Sequence, residues 1–351
     1  MNLDSTPDAE RTLATILGRR EINLDKLDKL TRHWARLRVV ALAGGVGGAK
    51  MAYGLYQILS PGALTVVVNT GDDLDRYGLY ISPDLDTIMY TLAGLASRTQ
   101  GWGIENDSRA CLSMLERYGQ ETWFGLGDRD LATHLLRTQL LASGLSLTEC
   151  TRRLASALGI QAEILPMCDE PVRTIVQTVS GELPFQEYFV KRQAQDHVLG
   201  LRYAGSEQAT MTADAREAIA RADLIVLCPS NPLLSIEPIL CVPGMREALS
   251  SASAPRIAIT PIVGGKALRG PAADLMRDLG YGPSAAGVAA YYGQLLDGFV
   301  LDVTDSELQL EIRAQGIKDM ITDTVMKTDF DRIRLSQLVL QFRDELCEGR
   351  A

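Results

Sequence analysis

Asp72, Asp73, Asp84 and Asp86 follow closely behind a glycine-dense loop, Gly44-Gly-Val-Gly-Gly-Ala-Lys50. Acids beside such a loop point to metal-assisted phosphate chemistry. The loop offers unpaired N–H groups and the positive end of a helix dipole, where each favourable anion contact is worth about 0.3–1 kcal/mol. Carboxylates would repel a phosphate there unless Mg²⁺ lay between, and Mg²⁺ is held through one or two carboxylates plus substrate phosphates. The pattern predicts a phosphate held by Gly44, Gly45, Gly47, Gly48 and Lys50, with Asn69 in the same crevice. It predicts Mg²⁺ among Asp72, Asp73, Asp84 and Asp86. Ser82 and Asp84 also suit helix caps, because a helical pattern runs from Thr87 to Leu95.

The loop narrowly misses two common templates, both times at Lys50. In the dinucleotide fingerprint, Gly45 and Gly47 fit but Lys50 stands where a third glycine lets helix and strand pack closely. In the triphosphate loop, Gly44 and Lys50 fit, but Ala49 replaces the second glycine and Met51 the hydroxyl that binds magnesium. A nicotinamide-dependent oxidoreductase is further disfavoured by Asn69, which stands where an acid would meet the ribose.

Parallel-type strands must position these groups. Leu37 to Ala43 and Leu64 to Asn69 are short apolar runs, and an open parallel sheet binds ligands outside the carboxyl ends of its strands. Strand and helix patterns alternate from Val39 to about Leu95, which predicts a doubly wound, mostly parallel, Rossmann-like α/β sheet. Three helical patterns then occupy Ser108 to Leu158, and the runs Val172 to Val179 and Phe185 to Lys191 read as a hairpin around Gly181. Residues 101–209 are therefore expected to form an inserted, mainly helical lobe carrying a β-hairpin, within a core of residues 38–100 and 210–351. A ligand would enter between the lobes. Residues 1–37 hold two amphipathic patterns, Leu13, Ile16 and Leu17, then Leu24, Leu27, Leu30 and Trp34, expected as a helical hairpin that docks or forms a dimer contact. After alternation resumes at Ala213, two turns follow apolar strands. Pro229-Ser230-Asn231-Pro232 offers backbone and side-chain donors, and Pro261-Ile-Val-Gly264-Gly265-Lys266 offers a glycine pair and a cation suited to a diphosphate.

These segments resemble the 2-phospho-L-lactate transferase family of deazaflavin coenzyme (factor 420) biosynthesis. The resemblance rests on Ala43-Gly-Gly-Val-Gly-Gly-Ala-Lys50, Val68-Asn-Thr-Gly-Asp-Asp-Leu74, Ile81-Ser-Pro-Asp-Leu-Asp-Thr87 and Trp102-Gly-Ile-Glu-Asn-Asp107. It continues through Leu126-Gly-Asp-Arg-Asp-Leu-Ala-Thr-His134, Cys228-Pro-Ser-Asn-Pro232, Val242-Pro-Gly-Met-Arg-Glu247 and Thr260-Pro-Ile-Val-Gly-Gly-Lys266. It implies transfer of a phosphorylated small acid from a GDP-linked donor to the ribityl 5′-hydroxyl of the deazaflavin Fo, releasing GMP. The acid is a 2-phospho-L-lactate, phosphoenolpyruvate or phosphoglycerate unit. Such transfers rely on positioning and on neutralising phosphoryl charge. Asp72, Asp73 and Asp86 are expected around the metal, with Asp86 as an alternative acceptor of the hydroxyl proton, and Ser230 and Asn231 at the GDP moiety. Arg129 is a catalytic candidate, because Gly125 stands where the family usually carries a basic residue. A non-catalytic nucleotide-sugar-binding regulator of the gluconeogenesis-factor type is the rival reading. It shares the glycine loop but not the Gly-Asp-Asp, Pro-Asp-Leu-Asp-Thr and Gly-Asp-Arg-Asp segments.

Composition agrees with an enzyme that binds small molecules. The chain has 351 residues, 46% hydrophobic and 23% charged, enough for a full core. A net charge of −9 argues against nucleic acid, which is bound through basic patches. No apolar run reaches the length of a membrane span and no signal-peptide pattern opens the chain, so a cytoplasmic protein is expected, a homodimer if the N-terminal hairpin serves as its contact. The six cysteines, without a C-x-x-C pair, read as reduced thiols. His33, His134 and His197 lack a second ligand at metal spacing and read as solvated or hydrogen-bonded, His134 being the foremost exception.

Overall fold

The structure, a computed structural model, describes residues 32–349. Most of the expected N-terminal helical hairpin lies outside the described residues. Within them Trp34 is buried and its indole N–H donates to Asp344 Oδ2 at 2.8 Å.

The chain begins with β1 (Val39–Ala43), whose five side chains are all buried, and passes through the glycine loop into α1 (Gly45–Ile58). Next come β2 (Leu64–Val68), a small hairpin of β3 (Leu74–Arg76) and β4 (Leu79–Ile81), and α2 (Pro83–Leu92). Helices α3 (Ala110–Arg117), α4 (Asp128–Ala142) and α5 (Leu147–Ala157) follow, then β5 (Glu163–Pro166). Strands β6 (Arg173–Thr178), β7 (Gly181–Pro184) and β8 (Val198–Ala204) form a separate antiparallel sheet in the order β7-β6-β8. Helix α6 (Ala213–Ala220) then leads to β9 (Leu224–Leu227) and β10 (Arg256–Ile259). A two-stranded ribbon, β11 (Ile262–Val263) with β12 (Lys266–Ala267), precedes β13 (Gly298–Asp302), β14 (Lys318–Thr322) and the long C-terminal α7 (Asp329–Glu348).

Seven strands build one all-parallel sheet in the order β14-β13-β10-β9-β1-β2-β5. It is the expected doubly wound α/β architecture. Successive side chains of a strand point to opposite faces, so both faces must be covered. Val39, Ala41 and Ala43 enter one core with Met51 and Leu55 of α1, Leu85 and Met89 of α2, and Leu335 and Val339 of α7. Val40 and Leu42 enter the other with Ala215 and Ile219 of α6.

Two details differ from the sequence reading. Strand β5 falls within residues 101–209, yet it extends the central sheet by pairing with β2. The hairpin closes at Gly181 as expected, but Phe185 to Lys191 is not its second strand. That strand is β7, the chain turns helical over Glu187–Lys191, and β8 supplies a third strand. Among the described residues, no helix is long and apolar enough to cross a membrane.

Candidate active site

The sheet order reverses between β1 and β9: β1 continues outward to β2, and β9 outward to β10. The loops after these two strands therefore diverge around a crevice, where open α/β sheets bind ligands. Gly45 opens α1 with φ +62°, a left-handed conformation suited to glycine. A Cβ on Gly47 would run into the carbonyl oxygen of Pro229, and one on Gly48 would stand 2.7 Å from Ser230 Oγ. The loop thus packs directly on the turn after β9. Ser230 fastens it, donating to Gly44 O at 2.8 Å and accepting from Gly44 N–H at 3.2 Å. Asn231 Oδ1 caps the next turn by accepting from Leu233 and Leu234 N–H at 3.0 and 3.2 Å.

Asn69, Asp72, Asp73 and Asp84 converge on this loop. Gly45 N–H donates to Asp84 Oδ1 at 2.8 Å, and Asn69 Nδ2 donates to Asp84 Oδ2 at 2.9 Å. Asn69 Oδ1 in turn accepts from Gly71 N–H at 2.8 Å and fixes the bend that carries Asp72. Asp72 is 6% exposed, and its buried Oδ1 has no hydrogen-bond partner among the described residues. Burial, then the charges of Asp84 and Asp73, push its pKa well above the usual carboxylate range. Burial likewise raises Asp84, to about 6, against the pull of Asn69 and the Gly45 amide. Asp73 accepts from Ser82 Oγ at 2.6 Å and Tyr80 OH at 2.8 Å, and burial lifts it to about 7 despite the charge of Arg173.

Asp86 belongs to different surroundings. Residues two apart on a helix lie about 200° around its axis, so Asp84 and Asp86 leave α2 on opposite sides. Arg137 of α4, 0% exposed, grips Asp86 with both guanidinium nitrogens, Nη1 to Oδ2 at 3.1 Å and Nη2 to Oδ1. His134 Nδ1 lies 3.5 Å from Asp86 Oδ2, and His134 Nε2 lies 3.3 Å from Asp130 Oδ2. Tyr90 OH donates to Asp130 Oδ1 at 2.8 Å. Burial pulls the pKa of Arg137 down, but Asp86 outweighs it and holds the guanidinium above its ordinary value. Asp86, Asp130 and His134 are close enough to share a cation. Arg137 pairs with Asp86 in an ion-pair network that joins α4 to α2, while the buried Arg137 Nε and His134 Nε2 make no hydrogen bond among the described residues.

The other expected residues take these places. Lys50 Nζ donates to Met326 O at 2.7 Å, and burial, with Arg332 and Arg269 nearby, pushes its pKa down. Gly264 and Gly265 make the left-handed turn of the β11–β12 ribbon, Gly264 N–H donates to both Asp305 oxygens at 3.0 Å, and Lys266 is exposed. Arg129 is exposed at the start of α4. Its neighbours explain the Gly-Asp-Arg-Asp segment structurally. Asp128 accepts from Ala110 and Cys111 N–H, at 3.0 and 2.9 Å, and Asp107 accepts from Arg129 and Asp130 N–H, at 2.9 and 3.0 Å, so the starts of α3 and α4 cap one another. At Gly125 the space where a side chain would begin is bordered by Arg109 Nη2 at 3.5 Å and Trp102 Cη2 at 3.6 Å.

Sequence reasoning missed Arg137, whose charge sits in an ordinary helical stretch with no local sign of burial. Tyr80 was legible only as a neighbour of the acids, and Ser82, at the expected N-cap position, turns its hydroxyl to Asp73 and makes no side-chain cap bond.

The family described as "2-phospho-L-lactate transferase CofD" matches residues 39–340, which span the glycine loop, both acid segments and the turn after β9. The chain belongs to this family. It is similar to the 2-phospho-L-lactate transferase of Methanosarcina acetivorans, 40% identical over 309 residues, covering 88% of this chain and 100% of that protein. It is also similar to the phosphoenolpyruvate transferase of Streptomyces griseus, 42% identical over 301 residues, covering 84% of this chain and 94% of that protein. A crystal structure of a UPF0052 family member from Bacillus halodurans shares the fold with TM-score 0.58 at 14% identity, over 86% of this chain and 98% of that one. The protein is accordingly an α/β transferase of the phosphotransferase type, as its family members are named.

Proposed function

We propose that this transferase moves a phosphorylated small acid from a GDP-linked donor to the ribityl 5′-hydroxyl of the deazaflavin Fo, releasing GMP, in coenzyme F420 biosynthesis. The acid is a 2-phospho-L-lactate, phosphoenolpyruvate or phosphoglycerate unit. The observation that carries the reading is the buried pair Asp72 and Asp84 at the glycine loop, whose charges repel each other with no cation paired to either among the described residues. An all-oxygen, anionic donor set with an orphaned carboxylate oxygen fits a hard divalent cation such as Mg²⁺. Asp72 and Asp84 would hold it, with Asp73 alongside. Bound there, Mg²⁺ would neutralise charge on the phosphoryl oxygens of the donor.

The remaining work falls to the chain's own groups. The N–H groups at the start of α1 other than that of Gly45, which donates to Asp84, bind phosphate oxygens, while Ser230 and the carbonyl of Pro229 keep the loop in place. The Fo hydroxyl attacks the phosphorus that bears the acid, a new P–O bond forms, and the bond to GMP breaks. Asp73 takes the hydroxyl proton. Burial raises its pKa in the metal-free protein, which favours proton acceptance, whereas Asp86 is committed to Arg137.

Relatives named for both phospholactate and phosphoenolpyruvate support the transferase reading equally, at 40% and 42% identity. The test is purified protein with Fo, Mg²⁺ and each GDP-linked donor in turn, following Fo consumption and GMP release by chromatography with mass detection. Stoichiometric, magnesium-dependent GMP release with one donor is expected and names the acid. No turnover with any donor, together with tight binding of a nucleotide sugar, would replace this reading with the regulator.

A further inference from the structure

After α2 the chain forms a closed loop that neither the phosphate cradle nor the acid pair uses. Ala96 and Ile104 pair across its neck, Glu105 N–H donates to Leu95 O at 2.8 Å, and Gly101 N–H donates to Ser97 O at 2.8 Å. The loop abuts the start of α1. A Cβ on Gly101 would stand 2.8 Å from Val46 Cγ1 and 3.0 Å from Arg269 Nη1, and Arg269 donates to the carbonyl of Gln100. The next residue, Trp102, is therefore tethered one step from the glycine loop.

Trp102 is 42% exposed. Its indole edge and the Arg109 guanidinium both border the empty side-chain position of Gly125, at 3.6 and 3.5 Å from where a Cβ would be. The Arg109 side chain is exposed and forms no hydrogen bond or ion pair among the described residues. On the two sides of Gly125, Phe124 and Leu126 pack with Leu74, Tyr77, Leu79 and Ile81 of the β3–β4 hairpin. That hairpin leaves Asp73 and returns to Ser82 and Asp84. The platform thus adjoins the phosphate loop through Gly101 and the acid cluster through Gly125.

An exposed indole with an unpaired guanidinium beside it does not suit a metal, and the indole has no use for a bare phosphate. It suits a flat heteroaromatic ring that carries carbonyl oxygens, because the indole face stacks and the planar guanidinium both stacks and donates. We infer that Trp102 and Arg109 receive the deazaflavin ring of the acceptor and thereby set acceptor specificity. The inference rests on the acceptor named under Proposed function.

Equilibrium dialysis of Fo against the full-length protein without donor, combined with steady-state kinetics, tests both separately. Trp102→Ala and Arg109→Ala should each weaken Fo binding and raise the KM for Fo about tenfold, a fold-change in the range of one base–aromatic stack. The KM for the GDP-linked donor should stay within about twofold, and Trp102→Phe should restore most of the Fo affinity. If the wild type binds Fo and both alanine variants bind it equally well, the platform is overturned and the proposed reaction stands. If only the donor KM rises, the ring on the platform is guanine and the assignment to the acceptor is overturned. Failure of the wild type itself to bind or consume Fo overturns the proposed reaction and this inference with it.

Discussion

Asp84 and Asp86 are two residues apart on one helix, yet they live in opposite electrostatic worlds. Asp84 faces the glycine loop with Asp72; burial raises both carboxyls, and the charge of Asp84 raises Asp72 further. Asp86 faces α4, where Arg137 grips both its oxygens and His134 bridges toward Asp130. Burying a carboxylate is tolerated when it is paired and hydrogen-bonded, and otherwise raises its pKa. On the Asp86 side the carboxylate has its cation and the pair holds the helix. On the Asp72 and Asp84 side no cation faces either carboxylate among the described residues, which is the place the proposed function gives to Mg²⁺ and phosphate, and burial alone does not separate the two.

The contrast breaks most sharply at Asp72. Asp72→Asn should lower kcat by about 10²–10³-fold, the usual scale for losing one preorganised electrostatic group. Its urea midpoint should match or exceed that of the wild type, because a repelling buried charge is gone. A large loss of stability with activity retained would place Asp72 on the structural side. At Arg137 the opposite pattern is expected. Arg137→Met strands a buried carboxylate, which costs about 3–5 kcal/mol, read as a lowered urea midpoint. Adding Asp86→Leu should recover part of that loss, and no recovery would refute the pairing.

A pH series on chelator-treated protein sharpens the comparison further. Asp73 and Asp84 have folded-state pKa values of about 7 and 6, above the ordinary carboxylate value of 3.8. The folded state thus binds more protons than the unfolded one between pH 3.8 and about 7, so these groups stabilise fully below pH 3.8 and lose that contribution as pH rises to about 7. Asp73→Asn should flatten this fall, whereas Arg137→Met should leave its slope in place. The smallest effect is expected at Arg129, whose backbone N–H rather than its exposed side chain makes the contact to Asp107. Arg129→Ala should keep kcat/KM within about twofold, and a tenfold loss would return it to the reacting centre.

Much of this arrangement is legible in the residues. Four glycines between an apolar run and a helical pattern locate the loop, and the β-branched run Leu64 to Val68 brings Asn69, Asp72 and Asp73 beside it. The division between Asp84 and Asp86 is not legible. Helical periodicity shows that they diverge, but the partner that claims Asp86 lies 51 residues away on α4. Asp107 and Asp128 are hidden for the same reason, since each caps the other's helix across a fold that local spacing does not encode. Strand β5 is a four-residue run after three helices, too short to announce that it rejoins the sheet. Likewise the hold of Asp305 on the Gly264 amide in the β11–β12 turn is not legible, because Asp305 lies 41 residues away.

The most direct test of the central claim is a calorimetric Mg²⁺ titration, in the presence of GDP, of wild type, Asp72→Asn and Asp86→Asn. One magnesium site is expected in the wild type, lost in Asp72→Asn and kept in Asp86→Asn. Equal binding by wild type and Asp72→Asn, or loss of binding in Asp86→Asn alone, would contradict the account.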